Sequence, residues 1–224
     1  MLSNYKMAIF DLDGVIVDTA KYHYLAWRQL AVDLGFEFTV EHNERLKGVS
    51  RDRSLEILLE VGGLLHAFTP EEKHSMATRK NEQYVSYISK LEQEEILPGA
   101  KELLVALRHR GIKVGLGSAS KNAPMILERL GITELFDVII DGNDTAKAKP
   151  DPEVFLLGAQ AMGIAPVHCV VFEDAQAGIE AAIAAGMTPI AVGNPAILTG
   201  ADVYVENLAG VNISNGGLPF DLRP

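Results

Sequence analysis

Cysteine is nearly absent: Cys169 is the single one among 224 residues. That excludes an intrachain disulfide. The apolar run that holds it, Cys169-Val170-Val171-Phe172, predicts a small buried hydrophobe. Low cysteine use suits a reducing compartment. Long apolar runs are missing too, and no stretch reaches the length that crosses a bilayer. The N-terminal run Met7-Ala8-Ile9-Phe10 is broken at once by Asp11 and Asp13, which is not the pattern of a secretion signal. A membrane is therefore not an expected partner, and the cytoplasm is the expected compartment. Positive charge is scarce. Lys and Arg number 20 against 30 Asp and Glu, for a formal net charge of −10. Nucleic acid is thereby excluded as a non-specific partner, because its phosphates need a basic face. No internal repeat, low-complexity segment or interface motif stands out, so a monomer is expected.

What is present is the composition of a globular protein, 48% hydrophobic and 22% charged. The length suits one large domain, or a core domain with an insertion. Met7 to Phe10 has strand length and leads into Phe10-Asp11-Leu12-Asp13-Gly14. Aspartate is a poor strand residue, so the strand should end there and present both carboxylates at its C-terminal edge. In an open α/β sheet that edge binds ligands. Two close carboxylates repel; a metal ion, a shared proton or separation on a turn relieves them. One aspartate then serves as nucleophile and metal ligand while the other handles protons. The bland alternative is an acidic surface turn.

A helical stretch follows. Tyr24, Leu25, Trp27, Leu30, Ala31 and Leu34 recur at helical spacing from Lys21, and Gly35 stops them. His23 and Trp27, four apart, share a face. Helix packing accounts for Trp27, whereas His23 is open between packing and function. Lys47-Gly48-Val49-Ser50-Arg51 is a loop with two cations, and Ser50 can cap a helix running to Val61. It reads either as an anion clamp or as a solvated basic turn. Thr69-Pro70-Glu71-Glu72 is a capping box with proline at the first helical position. Its helix carries Arg79-Lys80-Asn81 and should reach about Leu91. Residues 18–90 thus form a helical insertion, with residues 1–17 and 91–224 as the α/β core.

The remainder alternates. Strands are expected at Ile112–Leu116, Phe136–Ile140, Val167–Phe172 and Pro189–Val192, with helices from Pro98-Gly99, over Ala123–Leu130, from Pro152 to Met162 and over Gly178–Ala185. Such alternation argues for a doubly wound parallel sheet with helices on both faces. The chain after about Asn194 is weakly patterned, and 212–224 read as a loop or a loosely docked end. Four strand ends carry chemistry: Asp11 with Asp13, Ser118, the loop holding Lys147 and Lys149, and Glu173 with Asp174. Acids from two strands suit Mg²⁺, and a hydroxyl with an ammonium beside them suits a transferring anionic group. The set reads as phosphoryl transfer.

On these residues the sequence resembles the haloacid dehalogenase-like superfamily of phosphotransferases, over essentially its whole length. The resemblance implies that Asp11 forms a phosphoaspartate and that Asp13 is general acid and base. It further implies Mg²⁺ on Asp11, Asp174 and the backbone carbonyl of Asp13, with Glu173 close by, and a Rossmann-like core with an inserted α-helical cap. Ser118 and Lys149 would hold the transferring phosphate. Lys149 is preferred to Lys147 because it directly precedes proline. A narrower resemblance, to sugar-phosphate mutases of the superfamily, rests on several further segments. They are Asp18-Thr19-Ala20 with Tyr22-His23 and Ala26-Trp27, Leu46 to Arg51, Arg79-Lys80-Asn81, and Ser118-Ala119-Ser120-Lys121-Asn122. It implies a sugar-phosphate substrate bound by Thr19, His23, Trp27, Lys47, Gly48, Val49, Ser50, Arg51, Lys80 and Asn81 of the cap. Ala119, Ser120, Lys121 and Asn122 would join Ser118 and Lys149 on the core side. Arg51 would grip the phosphate not being transferred, and Lys80 and His23 would contact the substrate or gate Asp13. The expected reaction interconverts β-glucose 1-phosphate and glucose 6-phosphate through a bisphosphate. The alternative is a capped sugar-phosphate phosphatase, in which water takes the phosphoryl group. A non-catalytic sugar-phosphate binder would not need the nucleophile.

Overall fold

The computed structural model describes residues 5–46 and 49–211. Within them six parallel strands form one sheet in the order β3-β2-β1-β4-β5-β6. They are β1 (Met7–Phe10), β2 (Lys113–Gly117), β3 (Val138–Ile140), β4 (Cys169–Glu173), β5 (Thr188–Val192) and β6 (Val203–Val205). Strand order reverses between β1 and β4, and in a doubly wound sheet the crevice at that switch point takes the ligand.

Each of the two central strands is buried on both faces, which is why they read as unbroken apolar runs. Ala8 and Phe10 point into a cluster with α5 (Ala100–His109) and α6 (Ala123–Leu130), while Met7 and Ile9 point the other way, toward α7 (Glu153–Ala161) and α8 (Gln176–Ala184). Phe10 and Phe172 stack at 4.5 Å between centroids, and burying such a ring contributes about 1.5–3 kcal/mol. Cys169 lies in the second cluster, free and buried, where burial pushes its thiol up to about 11.

Between β1 and β2 run α1 (Ala20–Asp33), α2 (Val40–Glu44), α3 (Arg51–Val61) and α4 (Pro70–Ile88). Ser50 caps α3, its Oγ accepting from the Arg53 N–H, and the Thr69–Glu72 capping box opens α4. These four helices gather an apolar cluster of their own around Trp27, Leu30, Phe38, Leu55, Leu58 and Leu59. The chain leaves the core at Val17 and returns beside it at Ile96, the two joined by an antiparallel bridge. Lys21 and Tyr22 reinforce this junction by bonding the Glu95 carboxylate at 2.5 and 2.8 Å.

Three expectations need correction. The helix opened by Thr69 ends at Ile88, short of Leu91. Helix α2 was not expected; its capping box uses His42 in place of the usual Glu or Gln. The weakly patterned chain after Asn194 adds β6 and a 3₁₀ turn at Leu208–Gly210. An edge strand of three half-exposed residues carries too little alternation to be recognised. The expected loop at 212–224 lies outside the described residues. No helix among the described residues is long and apolar enough to cross a membrane.

Candidate active site

Strand register sets the position of Asp11. Phe10 is level with Leu116 on one side and Phe172 on the other, and the Asp11 N–H donates to the Phe172 carbonyl at 3.0 Å. Asp11 therefore stands beside Gly117 and Glu173. Lys149 reaches this level from the loop before α7, where the Lys149–Pro150 peptide is cis. Its Nζ donates to Asp11 Oδ1 at 2.6 Å, to the Gly117 carbonyl at 3.0 Å and to Glu173 Oε1. Burial alone would pull the lysine pKa down; the charges of Asp11 and Glu173 and their hydrogen bonds outweigh it and hold it above the ordinary value. Burial pushes Glu173 up, and the Lys149 charge only partly offsets that. The second Glu173 oxygen accepts from the Ala175 N–H at 3.1 Å.

Asp174 completes an acidic group: ligand atoms from Asp11, Glu173 and Asp174 all lie within 4.8 Å of one another. Two glycines make this approach possible. Gly14, at φ +87°, faces the Asp174 carboxylate, and Gly178 faces that of Glu173; a Cβ at either position would overlap the acid. The hard, all-oxygen donor set fits a divalent cation such as Mg²⁺. The Asp13 carboxylate is not part of this cluster.

Asp13 occupies a different environment. Its Oδ1 is buried and meets no hydrogen-bond partner among the described residues. Burial, and then the charge of Asp11, raise its pKa to about 7, against smaller opposing effects from Lys149 and Lys80. A carboxyl group near neutrality can both give and take a proton.

Across a cavity of about 410 Å³ the helices supply cations. Lys80 of α4 is 4% exposed and bonds His23 Nδ1 of α1 at 2.8 Å. Its Nζ lies 4.3 Å from the Trp27 ring centroid and 5.0 Å from that of Tyr84. His23 stacks on Tyr84 at 3.8 Å. Burial, and then the nearby Arg51 charge, lower Lys80 to about 7. Burial, with Lys80 and Arg51, holds His23 well below the usual imidazole range, so it stays neutral and accepts from Lys80. Arg51, the first residue of α3, is half-buried on the cavity wall and makes no ion pair among the described residues.

The loop between β2 and α6 forms the third side. Ser118 is 1% exposed, and its Oγ accepts from the Ser120 N–H at 3.1 Å; Ser120 Oγ accepts in turn from the Asn122 N–H at 3.3 Å. Asn122 Nδ2 donates to Asn81 Oδ1 at 3.0 Å, linking this loop to α4. Ala119 and Lys121 are also on the wall.

Of the expected site residues, Asp11, Asp13, His23, Trp27, Val49, Ser50, Arg51, Lys80, Asn81, residues 118–122 and Asp174 line this one cavity. Lys149 and Glu173 lie buried behind Asp11. Thr19 is fully buried and off the wall, and Lys47 and Gly48 lie outside the described residues. Lys147 is on the rim, its side chain 69% exposed and paired with Asp151 at 3.2 Å. Asn43 and Ser54 also line the cavity and were not anticipated. Asn43 sits on the unforeseen α2; Ser54, one turn beyond Ser50, carries only the weak signal of a polar residue on the apolar face of α3.

A strand end bearing two aspartates, a buried lysine and an acidic cluster that fits a cation, at the switch point of a parallel sheet, are the parts of a phosphoryl-transfer enzyme. The chain belongs to the haloacid dehalogenase-like hydrolase family, whose profile matches residues 5–186. It is 46% identical over 208 residues to the β-phosphoglucomutase of Bacillus subtilis (strain 168), covering 93% of this chain and 92% of that one. The crystal structure of β-phosphoglucomutase from Clostridium difficile superposes with a TM-score of 0.90 at 44% identity, covering 93% and 94% of the two chains. Fructose-1-phosphate phosphatase YqaB of Escherichia coli (strain K12) is 35% identical over 192 residues, which cover 86% of this chain and 98% of that one.

Proposed function

We propose that this protein is a Mg²⁺-dependent β-phosphoglucomutase that interconverts β-D-glucose 1-phosphate and D-glucose 6-phosphate. The observation that carries the reading is the cavity itself. Its lining holds Asp11 and Ser118 of the core together with Arg51 and Lys80 from the helices, so a sugar bisphosphate has groups for both of its phosphates. A phosphatase needs only the first set.

Phosphorylated Asp11 gives its phosphoryl group to the 6-hydroxyl of β-glucose 1-phosphate while Asp13 takes the hydroxyl proton. The 1,6-bisphosphate then turns round. Asp11 attacks the phosphorus at the 1-position, the bond to the sugar O1 breaks, and Asp13 returns the proton to that oxygen. Glucose 6-phosphate leaves and Asp11 is phosphorylated again. Ser118 and Lys149 hold the transferring group, and Arg51 takes the other phosphate in either orientation. Asp11, Asp174 and the Asp13 carbonyl, with Glu173 behind, would hold Mg²⁺, which when bound would supply positive charge to the phosphoryl oxygens. Helices α1 to α4, residues 18–90, act as a cap that excludes water and so protects the phosphoaspartate. The single, free cysteine supports a reducing compartment such as the cytoplasm, and a monomer belongs to the same proposal.

The test supplies β-glucose 1-phosphate, Mg²⁺ and a trace of the 1,6-bisphosphate, and follows both products. Glucose 6-phosphate formation, reversibly abolished by chelation, is expected. Release of inorganic phosphate and free glucose instead would establish the phosphatase.

A further inference from the structure

Asn122 is the N-cap residue of α6, yet its side chain makes no capping bond. Asparagine is favoured at that position because its side-chain oxygen can accept from the first turn of the helix. Here the amide instead donates to Asn81 Oδ1 of α4 at 3.0 Å, a partner 41 residues away in sequence. Asn81 is no better explained by its own helix. It stands inside α4, where asparagine is a weaker helix former than alanine. Both residues thus give up a local advantage for a bond between the inserted helices and the core.

The position of that bond gives it a task. The helices are also tied to the core at their junction, by the bridge from Val17 to Ile96 and by Lys21 and Tyr22 on Glu95. None of those junction residues lines the cavity, whereas Asn81 and Asn122 both do. The core side of the bond is held in place. Ser120 Oγ accepts from the Asn122 N–H, the Gly142 N–H donates to the Ser120 carbonyl at 3.4 Å, and Asn143 Nδ2 donates to the Lys121 carbonyl at 3.2 Å. Breaking the bond therefore releases α4, with Lys80 next to Asn81, rather than the loop.

We propose that the Asn81–Asn122 hydrogen bond is a latch that holds the inserted helices on the core during phosphoryl transfer. Asn81 is the positioning residue in it and sets how often water, rather than a sugar hydroxyl, takes the phosphoryl group from Asp11. The inference rests on the reading of the protein as a capped mutase. With either acceptor a new oxygen–phosphorus bond forms, the bond to the Asp11 carboxylate breaks, and the acceptor gives up a proton. The outcomes differ only in which oxygen reaches the phosphorus, so a looser cap favours water.

The experiment is turnover of β-glucose 1-phosphate, with Mg²⁺ and a trace of the 1,6-bisphosphate, in which inorganic phosphate and glucose 6-phosphate are both measured. The readout is their ratio. Asn81→Ala should raise phosphate relative to glucose 6-phosphate about fivefold, which corresponds to about 1 kcal/mol, the contribution of one hydrogen bond. Alanine is the best helix former, so α4 should survive the change. Asn81→Leu, close in volume and lacking the acceptor, is the second variant and should behave alike. In an Asn122→Ala background the further change Asn81→Ala should alter the ratio less than about twofold, because the partner is already gone. An unchanged ratio in both Asn81 variants overturns the latch, even where both products fall together, since general damage to the site lowers them equally. A full fivefold rise from Asn81→Ala in the Asn122→Ala background overturns it too. The mutase reading fails separately: if the unmodified protein forms no glucose 6-phosphate, that reading falls and the latch with it. Glucose 6-phosphate formation with one ratio in every variant removes the latch alone.

Discussion

Replacing Lys149 with methionine keeps most of the aliphatic stem and deletes the ammonium. That ammonium is buried, donating to Asp11 Oδ1 at 2.6 Å, to the Gly117 carbonyl at 3.0 Å and to Glu173. Two acids would then lose their shared counter-charge. Breaking a buried charge pair by removing one partner costs about 3–5 kcal/mol. For a chain of this size each kcal/mol moves the melting temperature by about 2–4 °C, so the expected fall is about 6–20 °C. The assay is thermal unfolding in chelator at about pH 8. The deficit has a pH signature. Glu173 already has a raised pKa in the folded protein, with burial the main cause. A carboxylate raised in this way contributes stability below its unfolded pKa of about 4.3, and that contribution is lost as pH rises through the folded value. Without Lys149 the folded value climbs further, so the deficit should widen toward about pH 8 and shrink toward about pH 5. Added Mg²⁺ should raise the melting temperature of the variant more than that of the unmodified protein, since it becomes the remaining counter-charge. A fall of less than about 2 °C in chelator would refute the idea that Lys149 neutralises this pair. A large deficit that is flat with pH would show that the loss is one of packing.

Three further outcomes are expected. Asp11→Asn should not take up a phosphoryl group from acetyl phosphate, read as the missing mass increment on the intact protein; a retained increment sinks the nucleophile assignment. Arg51→Ala should lower mutase turnover about a hundredfold, equivalent to about 2.7 kcal/mol, and change acetyl phosphate hydrolysis by less than about threefold. Equal losses would mean that Arg51 does not hold the distal phosphate. In the free protein the carboxyl carbon signal of Asp13 should titrate with a midpoint of about 7. Because this pKa is raised, the group stabilises the fold fully below about 3.9 and loses that contribution as pH rises through its folded value, so Asp13→Asn should flatten this slope. A midpoint near the ordinary carboxylate value would contradict the burial.

The sequence made the core legible because each element there carried its own local signal. β1 and β4 are unbroken apolar runs ending in acid, and the capping residues Ser50 and Thr69 mark the starts of α3 and α4. Asp11, Ser118 and Glu173 could be grouped because a parallel sheet brings its strand ends to one edge. What escaped depended on tertiary contact. β6 is an edge strand of three apolar residues, none of them buried, so its run is too short to stand out. Helix α2 has five residues, too few to show a period. Asn43 and Ser54 reach the cavity only because α2 and α3 turn one side toward it. Lys149 was separable from Lys147 by the proline that follows it, and burial agrees, with one enclosed by two acids and the other largely exposed.

Asp11 and Asp13 are two residues apart, and adjacent acids would ordinarily share one environment. The fold gives them opposite ones. Asp11 ends β1 at the level where Lys149 crosses, so its oxygen meets an ammonium. Asp13 lies next to the Gly14 turn, where burial and the Asp11 charge raise it to about 7. Environments that differ in this way assign different roles to like side chains. The proton role also depends on the helices. Lys80 is close enough to lower the Asp13 pKa, and Asp13 in turn raises that of Lys80. Each group therefore senses the charge of the other across the cavity. Water admitted between them would weaken that coupling and relieve the burial that raises Asp13. Asp13 would then fall toward an ordinary carboxylate, ionised at neutral pH and unable to protonate a leaving sugar. If the helices act as the proposed cap, their closure would therefore favour the protonated form of Asp13.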